Sequence, residues 1–210
     1  MTSWQVIVRA RRGELDLDVT FEGDEQPIAL VGPNGSGKTT LFRVLSTLLR
    51  PTAGSLSVFG YDVIRQAHQV RRQLGVVFQM PGLDLKLTAA ENLAYQGRLY
   101  GLSDSDLRQR IDVLLADVGL ADRRDEYVER FSGGMRRRVE LAKSMLHRPR
   151  LLLLDEPASA LDPMGRRDML EMVNSLKVDT TIFLSTHILA DVERICDRVA
   201  IVNHGSLVAL

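Results

Sequence analysis

Residues 32–39 read Gly32-Pro33-Asn34-Gly35-Ser36-Gly37-Lys38-Thr39. Just upstream stands Ile28-Ala29-Leu30-Val31, a short unbroken apolar run of the kind that forms a strand buried on both faces. Just downstream, Leu41, Val44, Leu45 and Leu48 recur at helical spacing in a helix expected over 39–49, ending before Pro51. The order is strand, glycine-rich turn, helix, and every fixed position of the P-loop pattern is filled. A backbone that wraps a triphosphate must turn its N–H groups inward. Glycine adopts the required dihedrals cheaply and keeps side chains out of the way. The helix begins near Lys38, so its positive dipole end faces the same phosphates. Lys38 brings a compact positive charge between the β- and γ-phosphates, and the Thr39 hydroxyl is placed to ligate Mg²⁺. Thr40 completes the expected binding stretch from Gly32. A plain strand-to-helix turn would need only the glycines. The lysine and hydroxyl in addition point to ATP.

A second chemical feature lies in the chain's last third. Leu151-Leu152-Leu153-Leu154 predicts a buried strand, and Asp155-Glu156 closes it. Alone, two acids after an apolar run describe a solvated strand end. Beside a phosphate loop they acquire roles, because ligands of open α/β sheets bind at the carboxyl ends of the strands. Asp155 is the expected Mg²⁺ partner, directly or through water. Glu156, one residue on, points another way and can reach an attacking water as general base.

Between and around these features, strand and helix signals alternate. Trp4 to Val8 and Leu15 to Phe21 read as strands with a turn near Gly13, and Val76-Val77-Phe78 reads as another buried strand. From about Thr88 to Leu146 the pattern is helical. Thr88 with Glu91 forms a capping box, and Leu107, Ile111, Leu114, Leu115 and Val118 make a stripe that stops at Gly119. Strand signals return at 151–154, 181–184 and 199–202. The expectation is an α/β fold: a P-loop core with a mainly parallel sheet, an N-terminal antiparallel β subdomain and an inserted helical subdomain. The core spans about 1–79 and 147–210, and the helical part about 80–146, within one domain of 1–210.

Composition fits this. The chain has 210 residues, of which 45% are hydrophobic and 26% charged, enough for a substantial core. Lys plus Arg is 27 and Asp plus Glu is 27, so the basic excess of a nucleic-acid binder is missing. Cys196 is the lone cysteine, which fits a reducing compartment. No apolar block follows Met1 to Gln5 before Arg9, so no secretory signal is expected. The apolar runs are far shorter than the roughly 20 residues that span a bilayer.

Phe131-Ser132-Gly133-Gly134-Met135-Arg136 precedes the acidic strand. A serine at a helix cap with two glycines in the first turn makes a second anion-binding helix end. The ordered set resembles the ATP-binding subunits of ABC transporters over essentially the whole chain. It comprises the phosphate loop, Gln79 after a strand, a helical lobe, Ser132-Gly133-Gly134, Asp155-Glu156-Pro157, Ser159-Ala160-Leu161-Asp162, and His187.

The resemblance implies the ABC ATPase fold and a head-to-tail dimer. Each ATP is then clamped between the phosphate loop of one protomer and the signature Ser132, Gly133, Gly134 and Met135 of the other. Gln79 is implied to contact Mg²⁺ or the attacking water, which puts it with Thr39 and Asp155 in the metal set. His187 is implied to hold the γ-phosphate and order the water, joining Glu156 and Lys38 as catalytic. Read without the family, His187 is a satisfied strand-end histidine. Asp162 is implied to act across the dimer interface. Met135 stands where the family has glutamine, and Phe131 where it has leucine. The family's adenine-stacking aromatic is absent. Arg9-Ala10-Arg11-Arg12 occupies that region, where an arginine can stack on the base. Trp4 reads as a core residue, and Arg136-Arg137-Arg138 as a run facing solvent or acidic neighbours.

The phrases Ser-Gly-Gly-Met-Arg-Arg-Arg (132–138) and Ser-Thr-His-Ile-Leu-Ala-Asp-Val-Glu (185–193) look most like the drug- and polysaccharide-export branch. The resemblance therefore implies a motor subunit that drives separate integral membrane permease subunits and sits on the inner face of the cell membrane through them. It pairs with a second ATP-binding subunit, and no nucleic-acid partner is expected. Two alternatives are a soluble non-transport ABC ATPase and a regulatory module that binds ATP without turnover. Neutral charge and a single cassette weigh against the first, and the complete Glu156 and His187 set against the second.

Overall fold

The computed structural model describes residues 4–12, 15–23 and 26–210, the first two stretches by their backbone alone. The expected turn at Gly13 and the side chains of Trp4, Arg9, Arg11 and Arg12 lie outside that description.

The N-terminal strands are β1 (Trp4–Arg12), β2 (Leu15–Gly23) and β3 (Ile28–Val31). Then follow α1 (Lys38–Leu45), β4 (Ala53–Val58), β5 (Tyr61–Asp62), α2 (Ala67–Gln73) and β6 (Leu74–Val77). Three helices come next: α3 (Ala89–Leu99), α4 (Asp104–Asp117) and α5 (Gly133–Ser144). The chain then alternates through β7 (Leu151–Asp155), α6 (Pro163–Ser175), β8 (Thr181–Thr186), α7 (Leu189–Ile195), β9 (Arg198–Asn203) and β10 (Ser206–Ala209).

Among the described residues the strands form one sheet in the order β5-β4-β1-β2-β10-β9-β3-β8-β7-β6. Strands β9, β3, β8, β7 and β6 run parallel, whereas β2, β1, β4 and β5 pair antiparallel. Strand β10 bridges the halves, antiparallel to β9 and parallel to β2. This is the mainly parallel core with an antiparallel N-terminal part that the sequence predicts.

The alternation of a strand explains the continuous apolar run at β3. Ile28 and Leu30 pack with Leu41, Phe42 and Leu45 of α1 on one face. Ala29 and Val31 face the other way, into a cluster with Leu141 of α5, Met169, Leu170 and Val173 of α6, and Val192 of α7. Phe42 and Phe183 stack with ring centroids 4.9 Å apart, locking α1 onto β8.

A third cluster joins Leu93 of α3, Leu107, Ile111 and Leu115 of α4, and Val139, Ala142 and Leu146. Helix α5 therefore serves two cores, with Leu141 on the sheet and Val139 on its helical neighbours. The predicted capping box forms at α3: Thr88 Oγ accepts the Glu91 N–H and Glu91 accepts the Thr88 N–H.

One boundary differs. Helix α1 stops at Leu45 instead of continuing to Leu49. Thr47 turns left-handed at φ 65°, and the N–H groups of Leu48 and Leu49 both close on the Arg43 carbonyl. That C-cap leaves Leu48 exposed on the surface, off the apolar stripe it seemed to continue.

Candidate active site

Four parallel strands deliver their carboxyl ends to one edge. Strand β3 runs into the phosphate loop, β6 into Phe78-Gln79, β7 into Asp155-Glu156, and β8 into His187. Crevices outside such strand ends are where open α/β sheets bind ligands. Asn34, Gly35, Ser36, Gly37, Lys38, Thr39, Thr40, Gln79 and Glu156 line one cleft of about 390 Å³ there.

Two glycines show why the loop has its composition. A Cβ on Gly32 would lie 2.1 Å from the Val202 carbonyl of β9, so only glycine lets the loop start this close to the sheet. Gly37 caps α1 at φ 104°, a backbone that side chains resist. The Gly205 N–H, in the β9–β10 turn, holds the Ser36 carbonyl at 3.0 Å and ties the loop's far side.

Lys38 is buried, and its ammonium donates to the Gly32 and Pro33 carbonyls at 2.6 and 3.0 Å. Its tip also lies 4.0 Å from Glu156 Oε1. Burial pulls the Lys38 pKa down, and the Glu156 and Asp155 carboxylates partly offset this. The loop carbonyls curl the lysine back over the loop.

Glu156 has φ 47°, a left-handed conformation for a side-chain-bearing residue. Such strain persists only where the surroundings over-determine it, and it gathers at functional sites. Here the Glu156 N–H is held by both the carbonyl and the hydroxyl of Ser185, each at 3.1 Å. The turn aims the carboxylate back into the cleft, where Oε1 is 3.2 Å from His187 Nδ1. Glu156, Lys38 and His187, three residues remote in sequence, thus converge on one oxygen.

Asp155 is fully buried. Its Oδ1 accepts the Ser185 hydroxyl at 2.6 Å, while Oδ2 has no partner. The Ser36 hydroxyl is likewise buried without a partner. Unmatched buried polar atoms are costly unless something completes them. Thr39, Gln79 and Asp155 also line a common recess, so the oxygen donors named for Mg²⁺ adjoin one space, and hard oxygen donors suit that ion.

The remaining predicted residues do not line the cleft. Ser132 caps α5 by accepting the Met135 N–H at 3.2 Å, and Ser132 and Gly133 are exposed. A Cβ on Gly133 would meet nothing within 4 Å, so that helix end faces open space. Met135 packs its side chain against the helical cluster. Asp162 stands exposed at the cap of α6, with Pro163 in the first turn.

Two features were not legible in advance. Ser185, which the sequence presents only as the first residue of the phrase 185–193, orients both Asp155 and Glu156. The signal was present in Ser185-Thr186-His187, where Thr186 also accepts the Ile188 N–H at 3.1 Å and reaches Asp191. Arg137, in a run expected to face solvent or acidic neighbours, does meet the acidic Glu140 at 3.1 Å, but it is buried and also donates to the backbone at the acidic strand's end. Its flanking arginines do match the expectation in part, since Arg138 pairs with Asp168 at 2.8 Å.

Comparison with known proteins agrees with this geometry. The family model described as ABC transporter matches residues 16–159. The daunorubicin resistance ATP-binding protein DrrA3 of Streptomyces coeruleorubidus is 45% identical over 181 residues, which is 86% of this chain and 57% of the relative. The ABC transporter ATP-binding protein NatA of Bacillus subtilis (strain 168) is 37% identical over 204 residues, 96% of this chain and 81% of the relative. A solved structure described as the ATP binding subunit of an ABC transporter superposes with TM-score 0.87 at 33% identity, over 100% of this chain and 89% of that one. The chain spans only a little over half the length of the daunorubicin resistance relatives, 57% and 55%. From the matched family and the shared fold, the chain belongs to the ABC transporter family and has the fold of its ATP-binding subunits.

Proposed function

We propose that this chain is the ATP-hydrolysing motor of a transporter and drives a separate membrane permease, most like the export branch. The observation that carries the reading is the convergence of Lys38 Nζ and His187 Nδ1 on Glu156 Oε1 inside the loop-lined cleft. In this reading the amides of Gly35 to Thr39 and the start of α1 hold the ATP phosphates, with Gly32, Pro33, Asn34 and Thr40 framing them. Lys38 moves from its loop carbonyls onto the β- and γ-phosphates. Glu156 accepts a proton from the attacking water, and His187 fixes the γ-phosphate and that water. Mg²⁺, held by Thr39, Gln79 and Asp155, would neutralise charge on the phosphate oxygens.

The exposed Ser132-Gly133-Gly134 end, with Met135 and Asp162, serves the ATP of a second protomer. The division into a core of about 1–79 and 147–210 and a helical part of about 80–146 belongs to the same proposal. Names of relatives that speak of drug resistance and of Nod factor export support the export direction. Among the described residues no helix is long and apolar enough to cross a membrane, so the permease is a different chain or segment in this proposal.

Steady-state ATPase assays with ATP-binding measurements test it. Lys38→Ala should lose nearly all turnover. Glu156→Gln should keep ATP binding and lose turnover by about a hundredfold or more, the scale of a general base. Normal turnover in Glu156→Gln removes the base assignment, and recovery of the chain without any integral membrane protein removes the transport role.

A further inference from the structure

Arg137 lies on α5, about one turn beyond Ser132-Gly133-Gly134, and every N–H of its guanidinium is used. Nε donates to the Pro157 carbonyl at 3.0 Å. Nη1 donates to the Phe78 carbonyl and, at 3.1 Å, to Glu140 Oε2. Nη2 donates to the Asp155 and Glu156 carbonyls at 3.0 and 3.4 Å. Arginine's planar fork carries five donors, and here they hold two loops that come from different strands.

The neighbours extend the bracket. Glu140 turns its other oxygen, Oε1, to the Gly82 N–H at 2.5 Å. Lys143, one turn on, donates to the Gly82 carbonyl at 2.6 Å. Helix α5 therefore grips the Gln79 segment on both sides, at Phe78 and at Gly82. Through the same guanidinium it grips the backbone of Asp155, Glu156 and Pro157. Both Arg137 and Glu140 are buried, so the pair acts where hydrogen bonds are strong and alternatives few.

Resting on the ATPase reading above, we infer that Arg137, braced by Glu140, is a positioning residue that sets Glu156 and the Gln79 segment relative to the signature end of α5. The strained Glu156 turn needs fixed partners, and Arg137 supplies one to its carbonyl while Ser185 supplies those to its N–H. Because α5 begins at the signature Ser132-Gly133-Gly134, a tilt of that helix moves both clamped loops, the Asp155-to-Pro157 backbone through this guanidinium and the Gln79 segment through it together with Glu140 and Lys143. Arg137 touches no reacting atom. It transmits position.

The full chain is prepared as wild type, Arg137→Lys, Arg137→Met and the double variant Arg137→Met with Glu140→Leu. The double variant removes both members of a buried pair, which folds tolerate better than the loss of one partner. Thermal melting, binding of a fluorescent ATP analogue, steady-state ATPase and amide exchange over 76–84 and 153–158 are measured. The double variant should melt within a few degrees of wild type. It should bind the analogue within about threefold and turn over roughly 10- to 100-fold more slowly at little-changed KM, the scale of a lost ångström of alignment. Both segments should exchange faster, and Arg137→Lys should recover part of the turnover. A stable double variant with wild-type kcat, or with unchanged exchange at both segments, overturns the inference. An inactive wild type would count against the ATPase reading instead, and the exchange data would still decide whether Arg137 holds the two loops.

Discussion

Gly32 shows how far a single atom decides this site. Its missing Cβ is what lets the phosphate loop leave β3 beneath the Val202 carbonyl, since any Cβ would sit 2.1 Å from that oxygen. Gly32→Ala must displace either β9 or the loop. We expect a loss of stability of about 1–3 kcal/mol, in the range of overpacked sites, and weaker ATP binding from the displaced amides. Urea unfolding and nucleotide titration check both, and a variant with wild-type values in each would show that the close approach is dispensable. Cys196 illustrates the opposite case, a residue with chemistry it does not use. Burial pushes its thiol from 9.0 up to about 12. The folded pKa is raised, so the thiol favours folding below pH 9 and loses that contribution as pH climbs from 9 toward 12. Native protein at pH 8 should therefore react slowly with N-ethylmaleimide and urea-unfolded protein quickly. Equal rates would contradict the half-buried, protonated thiol.

At the scale of elements, the residues that were readable are those whose role is local. The run Ile28 to Val31, the loop pattern, the Thr88–Glu91 box and the stripe of α4 each declare themselves within a few residues, because period and capping are short-range. Leu48 misled for the same reason: it keeps helical spacing, but the left-handed turn at Thr47 is decided by carbonyl closure, which periodicity does not see. What was invisible is contact between elements. Arg137 in a run of arginines carries no mark of burial until α5 is laid against β7, and Ser185 gains its role only when β8 pairs with β7. His147 is another such residue. Its Nε2–H donates to the Leu74 carbonyl at 2.9 Å, and its ring stacks on Tyr100 at 3.8 Å, joining the ends of α3 and α5 to the start of β6. Burial lowers its pKa, the Leu74 bond opposes this, and Arg110 adds to the lowering. With the folded pKa depressed, folding favours the neutral ring, so this contribution is complete above the unfolded value of about 6.5 and fades as pH falls below it. His147→Gln should therefore lose less of its melting temperature between pH 7.5 and 5.5 than wild type does, by a few degrees. Parallel pH profiles of the two proteins would show His147 to be uninvolved.

At the scale of the whole molecule, the starts of α1 and α5, the two helix ends proposed to bind phosphate, do not meet. The start of α1 opens into the cleft with Lys38 and Glu156, whereas the start of α5 presents Ser132 and Gly133 to open space. Ser132 caps one N–H of that end, the Met135 N–H, and the first-turn amides beside it can also take an anion. A second copy, turned head to tail, would supply the missing phosphates to each exposed end, so hydrolysis would belong to the pair. Gly133→Arg separates this from a monomeric mechanism. Nothing lies within 4 Å of a Cβ there, so the monomer has room for the side chain, and it should melt close to wild type. ATP binding to the cleft of each single chain should persist, because Gly133 does not line it. Dimerisation should fail, since the arginine would project into the space the partner's nucleotide needs. In a Glu156→Gln background, which holds ATP unhydrolysed, sedimentation should show an ATP-dependent dimer that Gly133→Arg removes. In the otherwise wild-type chain, the same substitution should cut turnover about a hundredfold or more, as loss of a charge-stabilising helix end at the phosphates does. A Gly133→Arg chain that hydrolyses ATP at the wild-type rate as a monomer would show that one cleft suffices, and the signature end of α5 would then need another purpose.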